Sequence, residues 1–119
     1  MRLSSQKIQK LADEIRTYLI KQELWVDTTI YFNNKAYSTH NGDHYSYNDP
    51  DDLIEINNVD PRKHIEYCGK YLTMSFEGPL YDELNYGNGI VYDRLQTIFK
   101  KYGLYFELGN TWNLSAYEL

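Results

Sequence analysis

Apolar residues recur at steps of three and four through residues 4–22, where Ile8, Leu11, Ile15, Tyr18 and Leu19 fall on one face of a helix. Ser4 or Ser5 is placed to cap its start. A second helix is predicted over 90–102 from Val91, Leu95, Ile98, Phe99 and Tyr102, with Lys100-Lys101 in its last turn and Gly103 as its stop. Between these helices the period changes from near four to two. Residues 25–47 alternate and are punctuated by Asn33-Asn34 and Asn41-Gly42, pairs suited to the positive φ of hairpin turns, so a three-stranded meander is expected.

If both meander loops have two residues, Val26, Ile30, Phe32 and Tyr37 share one face. The other face carries Trp25, Asp27, Tyr31, Ala36, His40, Asp43, Tyr45 and Tyr47, and places His40 beside Asp43 and Asp27. Further on, a short edge strand is expected near 53–56, a short helix over 61–68 behind Asp60-Pro61, and a strand over 70–76. The run Phe76-Glu77-Gly78-Pro79 reads as a strand-to-helix corner: Pro79 suits the first helical position, and Asp82 and Glu83 follow where the helix dipole favours carboxylates. A C-terminal hairpin turning at Gly109-Asn110 ends the chain. A helical crossover between strands 70–76 and 104–108 suggests that these two run parallel.

These elements add up to one α+β domain spanning residues 1–119. Its expected core is a mostly antiparallel five- or six-stranded sheet packed against two long amphipathic helices, with one or two short helices. A chain of this length buries enough surface to fold without metals or disulfides. The single cysteine, Cys68, cannot form an internal disulfide, and the start of the chain reads as neither signal peptide nor membrane anchor, so a soluble cytoplasmic protein is expected.

Charge narrows the function classes. The net charge is −5, and the 12 Lys and Arg are dispersed, which argues against nucleic acid as a partner; nothing argues for a membrane. The histidines and the cysteine form two i, i+4 pairs, His40/His44 and His64/Cys68. An alternating hairpin would point His40 and His44 to opposite faces, so no metal ligand, cofactor or catalytic residue is assigned. No nucleotide-binding glycine loop or nucleophile motif occurs.

With 13 tyrosines in the chain, the remaining candidate is aromatic: Trp25, Tyr31, Tyr45 and Tyr47 around His40 and Asp43 read as a recognition patch on a sheet face. The favoured function is therefore a small acidic protein-binding module, inhibitor-like or immunity-like. Two further classes stand beside it: a small hydrolase or transferase with a site near Glu77, and a homodimer that uses the aromatic face.

Overall fold

The computed structural model describes residues 3–66 and 68–119. Met1, Arg2 and Tyr67 lie outside the described residues, as do the parts of the leader and 61–68 helix readings that fall on them. The chain opens with α1 (Ser5–Lys21), capped by the Ser4 hydroxyl, which accepts from the Lys7 amide at 3.2 Å. Strands β1 (Thr28–Phe32) and β2 (Lys35–Ser38) follow, then a small hairpin of β3 (His40–Asn41) and β4 (His44–Tyr45), and then β5 (Ile54–Asn57). A 3₁₀ turn at Pro61–Lys63 leads to β6 (Leu72–Phe76), α2 (Pro79–Tyr86), α3 (Ile90–Lys100), β7 (Leu104–Asn110) and β8 (Asn113–Glu118).

Six strands form one antiparallel sheet in the order β5-β2-β1-β6-β8-β7, and β3-β4 stands apart as a two-stranded sheet. The fold is α+β, as expected. On the helix face, Ile30, Phe32, Leu72, Met74, Phe106 and Leu114 meet the buried stripes of α1 (Leu11, Ile15, Leu19) and α3 (Leu95, Phe99) in one core.

The second face is rich in hydroxyls along its central strands, with Ile54 and Ile56 of β5 at its edge. Register places Ser38, Thr29 and Ser75 in one cross-strand row and Ala36, Tyr31, Thr73 and Ser115 in the next. Thr73 and Ser115 are 2.8 Å apart, and both accept from the amide of Gly69 as its segment crosses the face. A Cβ at residue 69 would lie 2.8 Å from that of Ser115, so this close crossing requires glycine.

Four expectations need correction. The third strand of the meander does not join the sheet; β5 pairs with β2 in its place, and 40–45 folds on itself. The break is at Thr39, whose hydroxyl accepts the Thr28 amide and whose own amide donates to the Thr28 carbonyl, ending the β1–β2 ladder. In the small hairpin the turn is Gly42-Asp43, one residue later than expected, with His40 opposite Tyr45 and Asn41 opposite His44; Gly42 supplies a positive φ of +60° as the first residue of the turn and not the second.

In place of the helix expected over 61–68 there is a 3₁₀ turn over Pro61–Lys63, and Ile65 just after it is drawn into the interior. The C-terminal hairpin turns at Thr111-Trp112, since Gly109 is spent on a bulge between Leu108 and Asn110. Strands β6 and β7 do run in the same direction, but β8 lies between them and pairs antiparallel with both.

Candidate recognition site

The expected patch divides into three places. Trp25 is only 1% exposed and belongs to the core, because it precedes β1 and strand alternation does not govern it. Its amide donates to Asn48 Oδ1 at 2.9 Å, and its carbonyl accepts from the Asn48 amide at 3.2 Å. Tyr31 lies on the second sheet face in a cleft of about 350 Å³ that His40 also lines, stacked on His64 with ring centroids 6.2 Å apart. Burial pushes its phenol pKa up despite a hydrogen bond with Ser75.

The other members come together on the small hairpin and the segment after it. His40 stacks on Tyr45 at 5.5 Å, and Tyr45 meets Tyr47 edge-on at 6.0 Å. Tyr45 is 59% and Tyr47 43% exposed, among the most exposed large apolar residues described. Asp43 sits exposed in the turn. The Tyr47 hydroxyl donates to Asp27 Oδ1 at 2.7 Å, and that carboxylate raises the phenol's pKa.

This exposed ladder is anchored to the rest of the fold. The Ser46 amide donates to the Thr39 carbonyl at 2.8 Å, and Arg16 reaches from α1 to the Asp49 carbonyl at 3.0 Å. His44 Nε2 lies 2.9 Å from Asp52 Oδ2, and hydrogen bonds from His44 and Ser46 hold the Asp52 carboxyl below the usual carboxylate range. Two aromatic side chains are therefore presented on pinned backbone, which lowers the ordering cost of binding.

The charge around the ladder is one-sided. Between Lys35 and Arg62 the chain holds no Lys or Arg but six carboxylates: Asp43, Asp49, Asp51, Asp52, Glu55 and Asp60. That segment alone exceeds the net charge of −5, so the rest of the chain is close to neutral. Asp60 is matched by Arg62 and Glu55 by Lys35; among the described residues Asp43, Asp49 and Asp51 have no ion-pair partner.

The His64 ring is exposed and engaged with Tyr31, while the Cys68 thiol donates to the Ile65 carbonyl, and burial pushes its pKa up. The described residues hold no cluster of three or more His, Cys, Asp or Glu able to bind a metal. None of the helices is long and apolar enough to cross a membrane. Glu77 is exposed, and its amide donates to the Asp27 carbonyl at 3.0 Å.

No family model, no curated protein and no solved structure matches this chain.

Sequence reasoning missed the partnerships of Tyr31 with His64 and of Tyr47 with Asp27. Each joins residues at least 20 apart, and no local period signals such a contact.

Proposed function

We propose that the protein is a small acidic binding module that docks the His40–Tyr45–Tyr47 ladder on a basic protein partner and covers it, as an inhibitor does. The observation that carries this reading is the pair of exposed tyrosines on anchored backbone inside a segment with six carboxylates and no base. Tyrosine supplies rigid contact area with a polar tip, which suits it to the centre of an interface. Surrounding carboxylates would steer a cationic partner and repel a like one. The same repulsion disfavours a homodimer through this patch, because two copies would bring the carboxylate sets together. A lone unpaired cysteine suits a reducing compartment such as the cytoplasm.

The test uses wild type and a Tyr45→Ala/Tyr47→Ala double variant as baits in parallel, after circular dichroism shows that both are folded. A basic protein should be retained by wild type, released by raised salt, and lost from the double variant by a factor of roughly ten or more. Retention that ignores the double substitution would contradict the reading.

A further inference from the structure

Helices α1 and α3 pack side by side and flank a groove of about 330 Å³ whose lining includes no residue of the hairpin. From α1 it is lined by Glu14, Thr17, Tyr18 and Lys21, an i, i+3, i+4, i+7 stripe. From α3 come Arg94, Thr97, Ile98 and Lys101, with the same spacing. At one end of the groove the stripes are matched in charge: Lys101 Nζ donates to Glu14 Oε2 at 2.6 Å, and the Tyr102 hydroxyl donates to Glu14 Oε1 at 2.9 Å.

Two turns along each helix, about 10 Å away, the other ends of the stripes are Lys21 and Arg94. These are like charges, and among the described residues neither joins an ion pair. Between the two ends sits Tyr18, whose hydroxyl is buried and has no hydrogen-bond partner. The charged groups that reach this hydroxyl are Arg94 and, from α2, Glu83. Ammonium and guanidinium are both hydrogen-bond donors, so this end of the groove presents two cations without a bonded carboxylate, while the Tyr18 hydroxyl is closed off beneath them.

We propose that the α1–α3 groove binds a small organic oxyanion, a carboxylate or a phosphomonoester, held by Lys21 and Arg94. Arg94 offers the planar fork that matches two oxygens at once, and Lys21 adds a point charge. Ile98 and the Tyr18 ring give the ligand's apolar stem a wall. An anion here would relieve the like-charge pair.

The experiment titrates the full chain with phenyl phosphate, benzoate and inorganic phosphate, followed by ¹H–¹⁵N NMR. Saturable shifts confined to residues near 17–21 and 94–98 are expected with phenyl phosphate or benzoate, and the tighter of the two identifies the class. Arg94→Gln should weaken that binding about tenfold or more, with the fold unchanged by circular dichroism. Lys21→Glu should abolish binding and raise the melting temperature by a few degrees in ligand-free protein, because it would set a carboxylate opposite Arg94. Absence of saturation below about 10 mM, equal affinity in Arg94→Gln, or inorganic phosphate binding as tightly as phenyl phosphate would each overturn the proposal.

Discussion

At the scale of single residues, contact explains more than torsion does. Gly78 caps α2 at φ −91°, an ordinary value, yet a Cβ there would stand 2.7 Å from the Val26 carbonyl oxygen. Gly78→Ala is therefore expected to cost about 1–3 kcal/mol by overpacking, read from the midpoint of urea unfolding. The glycine was legible in the sequence as part of a corner, but its reason was not, because Val26 lies 52 residues upstream.

Two phenols make a second residue-scale prediction. Tyr37 donates to Asp13 Oδ1 at 2.7 Å, and Tyr102 donates to Glu14; burial and these carboxylates push both phenols up to about 12. A folded pKa above the unfolded value of about 10 contributes stability that is complete below the unfolded value and is lost as pH rises through the folded one. Stability should fall between about pH 10 and 12, and Tyr37→Phe should flatten that fall in denaturation curves taken across the range.

At the scale of elements, hydrophobic period identified the parts that local physics controls. The apolar stripes of α1 and α3, the Ser4 cap and the Gly78-Pro79 corner were all readable because each depends on residues within a turn or two. The first hairpin was readable for the same reason: Asn33 and Asn34 both adopt positive φ, at 48° and 60°. Asn34→Val should lower stability by about 1–2 kcal/mol, since a β-branched residue resists that region, whereas Asn34→Gly should be tolerated. Chemical denaturation of the two variants distinguishes these outcomes.

The third meander strand failed because two candidates competed for one edge of β2. Ile54 and Ile56 bring apolar side chains opposite Ser38 and Ala36, and the hairpin offers only exposed His40, Asn41, His44 and Tyr45. Burial decided the pairing, and alternation alone does not weigh burial between distant segments. The same limit misplaced Trp25. A residue just before a strand follows the route of the loop, and here Asn48 holds that loop from the far side.

At the scale of the whole molecule, the charge distribution is the main guide to function. One stretch between two basic residues carries the acidic surplus, and within it the chain forms a hairpin outside the main sheet, with Tyr45 on it and Tyr47 just after it exposed instead of packed. The patch was half legible: His40, Asp43, Tyr45 and Tyr47 stay at the surface together, Trp25 is core, and Tyr31 turns to a cleft with His64. A side chain's exposure depends on what covers it, and that is settled by topology, not by period.

Hydrogen exchange is the most direct test of the claim that this hairpin is the binding surface. The chain would be followed by mass spectrometry alone and with the protein that it retains. Slowed exchange concentrated in peptides spanning residues 38–52 is the predicted result. Protection confined to the β7 edge, to α1 and α3, or to the segment around Glu77, with 38–52 unchanged, would contradict the account.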